Sequence, residues 1–303
     1  MNEGNGHPYS YSAIFNGYDP KNLQEKCPFA LIKDYLPKEH RNENFIDGAR
    51  VTHIWTQDRS ISQDIAAVSL IPNVVNSLED LIGSVDAVIL ARDDPWNHLK
   101  MAEPFLRHGT PLFIDKQLVS SVEDFEALMP QVPKQYPMMA GSSARFTRDL
   151  ASTKSQIDKN IVRSIHGVSR SSWMRYGHHL LEGIVDIWGI DIPQVQSLSS
   201  DPNHDIIQFQ YQHGPNVILE CIKDASLPIQ FTCFSEGQDA AIVPFTDYFY
   251  SFREMLKGFV RFVETGTRCI DYDEMIFISR LVLAGDISKK LNRPVSPHSF
   301  KEI

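Results

Sequence analysis

Apolar residues fall into two rhythms along this chain. Between residues 50 and 141 the runs Arg50-Val-Thr-His-Ile-Trp55, Val85-Asp-Ala-Val-Ile-Leu-Ala91, Pro111-Leu-Phe-Ile-Asp115 and Met138-Met-Ala-Gly141 hardly alternate. These read as strands, and the near-continuous run 85–91 as one covered on both faces. The stretch 73–75 is a further short strand. The segments between have helical spacing. Residues 60–68 place Ile61, Ile65 and Val68 together, and 77–82 offer Ser77 as a cap. Residues 95–108 open with a proline and stop at Gly109, and 122–129 form another helix. Pro104 inside the third of these predicts a kink. Strands alternating with helices at this interval predict βαβ units and a parallel sheet.

Past residue 145 the pattern changes. A helix over 146–158, a strand over 162–172 and a helix over 179–188 precede three longer alternating runs, 206–211, 216–221 and 228–233, with a hairpin at 212–215. These predict an open, mostly antiparallel sheet. Long helices over 248–265 and 271–291 follow. Residues 10–40 predict one or two helices broken at Pro20. The fold class is α/β: an N-terminal Rossmann-like doubly wound parallel sheet over 1–120, then a C-terminal α/β domain over 121–303. The boundary falls between 118 and 145.

The doubly wound pattern lacks its beginning. Gly4-Asn5-Gly6-His7 resembles the turn that sets a pyrophosphate on a helix N-terminus. Only Met-Asn-Glu precedes it, too little for the strand that should come first. The competing readings are a flexible tail and a true start lying upstream. The third position of that fingerprint, normally small, is Tyr9 or Ser10.

Composition narrows the function classes. The 303 residues suffice for two domains, and 42% hydrophobic with 22% charged is ordinary for globular chains. A net charge of −9 without basic clusters argues against a nucleic-acid surface. No apolar run nears the roughly 18 residues of a membrane span, and no secretory leader is visible. Cys27, Cys221, Cys233 and Cys269 fit no paired-ligand spacing and predict reduced thiols in the cytoplasm.

Several residues carry candidate chemistry. Asp58, just past the strand ending at Trp55, can accept from a ribose 2′-OH, with Thr56 its rival for that place. His98 opens a helix at the carboxyl edge of the sheet, where ligands bind in such folds. Lys116 ends the strand 111–115 on that edge; a solvated charge pair with Asp115 is the alternative. The densest cluster is Arg175-Tyr-Gly-His178-His179-Leu-Leu-Glu182. His179 and Glu182 share a helical face. An imidazole with an ordinary pKa near 6.5 suits proton transfer from a hydroxyl. A zinc site is the competitor, but adjacent histidines diverge by about 100° on a helix, so no metal is expected.

Together these landmarks resemble the glucose–fructose oxidoreductase/inositol dehydrogenase/MocA (Gfo/Idh/MocA) family over nearly the whole chain. The pieces are 85–90, His98, 108–116, Ser143-Ala-Arg145-Phe146, Tyr176-Gly-His-His179-Leu-Leu-Glu182 with Gly189, the stretch 252–266, and Asp273-Glu274. The resemblance implies an NAD(P)-dependent oxidoreductase acting on a hydroxyl or carbonyl of a sugar, inositol or nucleotide-sugar-like substrate. It implies NAD, with NADP possible, and a homodimer or homotetramer paired through the C-terminal sheet. It makes Lys116 and His179 catalytic and Glu182 the acidic residue one turn later. Gly4, Gly6, His7, Asp58, His98 and Lys116 would meet the cofactor. Arg145, Arg175, Tyr176, His178 and Glu182 would meet the substrate, with the arginines holding an anionic group.

Three departures bear on activity. Asp-Lys-Gln stands where the family has Glu-Lys-Pro, which predicts a trans peptide after Lys116 because a non-proline cis bond costs about 3 kcal/mol. Arg175 stands where many members have a catalytic aspartate. The first strand is missing. The alternative function is therefore a homologue that has lost turnover and acts as a sugar-binding or regulatory subunit.

Overall fold

The computed structural model describes residues 5–39, 45–199 and 201–300. Three short helices open it: α1 (His7–Asn16), α2 (Pro20–Lys26) and α3 (Ala30–Tyr35). α1 buries every residue from Tyr9 to Phe15. The helices part just before Pro20, which begins α2, with Asp19 capping by accepting from Asn22 N–H (2.7 Å). Proline tolerates that first position because its missing donor is unused there.

The parallel layer follows. β1 (His53–Ile54), α4 (Arg59–Ser69), β2 (Asn73–Val74), β3 (Val88–Leu90), α5 (His98–His108), β4 (Leu112–Asp115), α6 (Val122–Leu128) and β5 (Met138–Gly141) come in order. β1 pairs with β2 and β3 with β4, both parallel. The strands are shorter than their apolar runs, and they form two sheets, β1-β2 and β3-β4-β5. β1 and β3 do not pair. Gly109 closes α5 at φ +77, as its position predicts.

The second sheet has the order β11-β10-β6-β9-β8-β7. It comprises β6 (Val162–Arg170), β7 (Val195–Ser197), β8 (His204–Gln210), β9 (Asn216–Ile222), β10 (Gln230–Ser235) and β11 (Ala241–Pro244). All its pairs are antiparallel except β6 with β9. β7 and β11 are too short and too irregular in alternation to read from sequence. Helices α7 (Arg148–Gln156), α8 (His178–Trp188) and α10 (Tyr272–Leu291) belong to the same unit as this sheet, and α9 (Tyr248–Thr265) comes between the last two in the chain. Asp271 caps α10 by accepting from Asp273 and Glu274 N–H. Acids in its first turn and lysines in its last complement the helix dipole.

The chain divides into two compact units. One holds 1–115, 127–139 and 252–269; the other holds 116–126, 140–251 and 270–303. The sequence predicts a single cut instead, because runs of apolar residues do not reveal that most of α9 packs with the first unit.

Candidate active site

In the first unit, side chains gather at the carboxyl ends of β3 and β4. Asp115 ends β4 and is buried. It accepts from Tyr11 Oη (2.9 Å) and is paired with His7 Nδ1. Tyr11 is held well above its ordinary pKa, first by burial and then by the Asp115 charge. Past β3, Arg92 and Asp94 form a buried ion pair, and Asn97 donates to Asp94 Oδ2 (2.8 Å). His98 is buried at the start of α5, behind the exposed Trp96. Thr56 donates to Asp58 O (2.6 Å). Asp58 is exposed at the end of β1, and its Oδ1 caps α4 by accepting from Ser60 N–H (2.8 Å). Those bonds from Ser60 hold its carboxyl below the usual range.

The glycine turn is furnished differently from a phosphate cradle. Gly4 lies outside the described residues. Asn5 is buried, donates Nδ2 to Ala91 O (2.8 Å) and accepts His7 N–H (3.0 Å). Pro8 has no N–H, and Ser10 N–H goes to Gly6 O. Of the first α1 residues this leaves Tyr9 for an anion. Gly6 is closely packed: a Cβ there would stand 2.7 Å from Ile32 Cδ1 and 3.1 Å from Phe29 Cγ.

In the second unit, Lys116 is half-buried at φ +67, a region that non-glycine residues rarely occupy and that clusters at functional sites. Its N–H donates to Gly141 O (2.9 Å). There is no cis peptide among the described residues. Gln117 Nε2 donates to Val119 O (3.0 Å), so the glutamine that replaces the expected proline braces its own loop.

His179 and Glu182 do share a face of α8, and both meet Ser142. His179 Nδ1 lies 2.6 Å from Ser142 Oγ, while Ser142 N–H donates to Glu182 Oε1 (3.0 Å). Ser142 is buried, and its Oγ also accepts Ala144 N–H (3.2 Å). Nothing in its one-residue chemistry singles out Ser142. Its one sequence signal is that it follows a buried strand at a ligand-binding edge.

Arg145 and Glu182 are placed otherwise than a ligand contact requires. Arg145 is buried and donates to Glu182 Oε2 (2.7 Å), Asp186 Oδ1 (3.2 Å) and Glu274 Oε2 (2.5 Å). Burial alone would lower its pKa; the three carboxylates outweigh that and raise it. Burial raises the pKa of Glu182, opposed by Arg145. Removing one partner of such a buried pair typically costs about 3–5 kcal/mol, so this cluster holds the loop that carries Ser142. His178 is likewise buried, its ring 4.2 Å from that of His179. Tyr176 edges onto the His179 ring at 5.1 Å, and Arg175 is exposed. Among the described residues no three His, Cys, Asp or Glu side chains are placed to hold a metal.

Residues 33–139 match the model of an oxidoreductase family with an NAD-binding Rossmann fold, Gfo/Idh/MocA. No curated protein matches the chain significantly. Among solved structures, scyllo-inositol dehydrogenase from Lactobacillus casei with bound NAD(H) and scyllo-inositol is similar at TM-score 0.70 and 14% identity, covering 84% of this chain and 93% of that one. Myo-inositol 2-dehydrogenase from Lactobacillus plantarum is similar at TM-score 0.69 and 14% identity, covering 83% and 92%. A myo-inositol dehydrogenase from Corynebacterium glutamicum gives 0.68 and 12%, covering 81% and 90%. At these identities the likeness is one of fold.

Proposed function

We propose that this chain, whose residues 33–139 match the Gfo/Idh/MocA oxidoreductase model, is an NAD-dependent dehydrogenase that acts on a hydroxyl of a sugar- or inositol-like substrate. The observation that carries this reading is the His179–Ser142 contact beside the positive-φ Lys116. The cofactor, when bound, supplies hydride acceptance. The chain supplies position and proton transfer. His179 takes the hydroxyl proton at Nε2 while its Nδ1–H donates to Ser142 Oγ, which fixes the tautomer and steadies the imidazolium. Lys116 Nζ donates to the same hydroxyl oxygen. The exposed Arg175 and the half-buried Tyr176 face the substrate, and Arg145 and Glu182 act through Ser142 rather than by contact.

For the cofactor, the exposed Asp58 would accept from a ribose hydroxyl, and His98 stands at the start of α5 past the carboxyl end of β3. The carboxylate of Asp58 repels a 2′-phosphate, so NADH is preferred over NADPH. Asp58→Asn keeps the helix cap, removes the charge and is expected to narrow that preference. A second reading, a binding or regulatory subunit without turnover, is favoured by the α1 terminus, where Asn5 and Pro8 leave few donors for a pyrophosphate. Titration with NADH and NADPH, followed by nicotinamide fluorescence, separates the two. Saturable NADH binding supports the dehydrogenase, and absence of binding by either supports the subunit.

We also infer self-association through the outward face of the second sheet. Ile242, Thr232, His166, Ile218 and Gln208 lie in one row across it, with Phe234 40% exposed and Ile242 59% exposed. Apolar groups of this size in the open favour a partner surface. The four cysteines are free thiols, which suits a reducing compartment such as the cytoplasm.

A further inference from the structure

The stretch that joins β6 to α8 carries two arginines, and between them they frame the ring that touches the proposed proton acceptor. Arg170 is the last residue of β6 and is exposed. Its guanidinium lies over the ring of Tyr176, 5.7 Å from the centroid. The same ring meets that of His179 edge-on at 5.1 Å. Arg175 directly precedes Tyr176 in the turn before α8 and is also exposed. All four residues lie in the second unit.

The carboxylates that neighbouring elements bring here answer to other partners. Asp205 of β8 accepts from Trp173 N–H (2.8 Å) and is paired with Lys289. Glu182 of α8 accepts from Arg145 Nε (2.7 Å) and from Ser142 N–H (3.0 Å). Glu220 of β9 sits opposite Val168, the residue before Arg170 on the same face, and its Oε2 lies 2.7 Å from His204 Nε2. These acids are matched within the fold, whereas the two arginines stand at its surface beside Tyr176.

A neutral polyol presents hydroxyl groups that both donate and accept. A guanidinium only donates, in a planar fork that matches two oxygens of a carboxylate or phosphate. Tyr176 prepares one of these forks: a cation held over an aromatic face has less side-chain freedom left to lose on binding. We propose that the substrate is an anionic sugar or polyol, bearing a carboxylate or a phosphate, whose charge is held by Arg170 and Arg175 while its reacting hydroxyl meets His179. This rests on the dehydrogenase reading above and deepens it, with Arg170 as a residue that selects for charge. The Tyr176 ring, in contact with both Arg170 and His179, sets the spacing between charge holder and proton acceptor.

The test is isothermal titration calorimetry on the full chain with saturating NADH, comparing D-glucuronate and D-glucose-6-phosphate with D-glucose and myo-inositol. An anionic ligand is expected to bind about 10-fold or more tightly than D-glucose, the worth of charge-assisted hydrogen bonds. Tighter glucuronate assigns a carboxylate, and tighter glucose-6-phosphate a phosphate. Arg170→Gln together with Arg175→Gln is expected to bring the ratio to about one, since no guanidinium is then left to hold the anion. Arg170→Lys keeps the charge without the fork and is expected to retain only part of the ratio. Tyr176→Leu is expected to lower the ratio and Tyr176→Phe to keep it, because the ring face is what supports Arg170. Equal affinity for neutral and anionic ligands, or binding of neither anion, overturns this inference and leaves the dehydrogenase reading standing. So does a ratio unmoved by the double substitution. Absence of NADH binding overturns the dehydrogenase reading, and this one with it.

Discussion

Ser142 is the residue on which the proposed chemistry turns, because one small side chain fixes the His179 ring while its own backbone is fixed by Glu182. His179→Ala is expected to lower the rate about 10²-fold or more, the usual worth of a positioned proton acceptor. Ser142→Ala is expected to lower kcat about 10-fold, the worth of one hydrogen bond in a dry site, with KM little changed. Ser142→Thr restores most of it. A fall in KM and kcat of equal size in both variants would mark Ser142 as part of the fold and nothing more. Asp94 offers a pH-linked case. Burial opposes its ionisation, but the hydrogen bonds from Arg92 and Asn97 outweigh that and lower its pKa. A lowered folded-state value contributes stability above the unfolded carboxyl value near 4, lost as pH falls through the folded one. Asp94→Asn leaves Arg92 buried without its counter-charge. It is expected to cost about 3 kcal/mol at pH 7, with the gap to the parent protein closing below about pH 4. A constant gap between pH 7 and 3 in urea unfolding would remove that linkage.

The decisive element is the turn that launches α8. Residues Trp173–Gly177 form a single π-helical turn before His178, a feature often found at functional sites. Trp173 anchors it: its backbone N–H donates to Asp205 Oδ2 (2.8 Å) and its indole to Val282 O (2.8 Å). Gly177 lies directly against the indole, since a Cβ there would stand 2.3 Å from Trp173 Cε3, and a Cβ added at Gly285 of α10 would stand 2.5 Å from Trp173 Nε1. Gly177→Ala therefore forces the indole out and moves the first turn of α8. The expected outcome is a loss of about 1–3 kcal/mol, read by thermal unfolding. A changed near-ultraviolet tryptophan signal and impaired turnover are expected with it. An unchanged Trp signal with full activity would show that the turn does not place the histidines.

For the whole molecule, the outward sheet face sets the expectation. A row of Ile218, Ile242 and neighbours across β11, β10, β6, β9 and β8 predicts a dimer or tetramer by light scattering at micromolar concentration. Ile218→Lys together with Ile242→Lys is expected to give monomers, because paired charges in an apolar interface are not compensated. A strict monomer in the parent protein would refute the surface. Cofactor binding is expected to survive this double substitution, since both residues lie in the second sheet and outside the family-matched segment 33–139.

Local sequence determined much of this protein. Apolar runs and helical spacing placed β3, β4, β5, α9 and α10 within a few residues, Gly109 and Asp271 marked helix ends, and the 176–182 spacing brought His179 and Glu182 to one face. These follow from 2.0 and 3.6 residue periods and from capping, which operate within a few neighbours. Tertiary structure decided the rest, because it depends on which distant groups meet. No local pattern marks Asn5, whose Nδ2 donates to the distant Ala91 O. Arg145 read as an anion holder, yet three carboxylates from α8 and α10 surround it. Asp58 read as a ribose acceptor and also caps α4. That β1 and β3 fall in separate sheets and line one cavity with residues of α1, α5 and α9 is a fact of packing that no local pattern encodes.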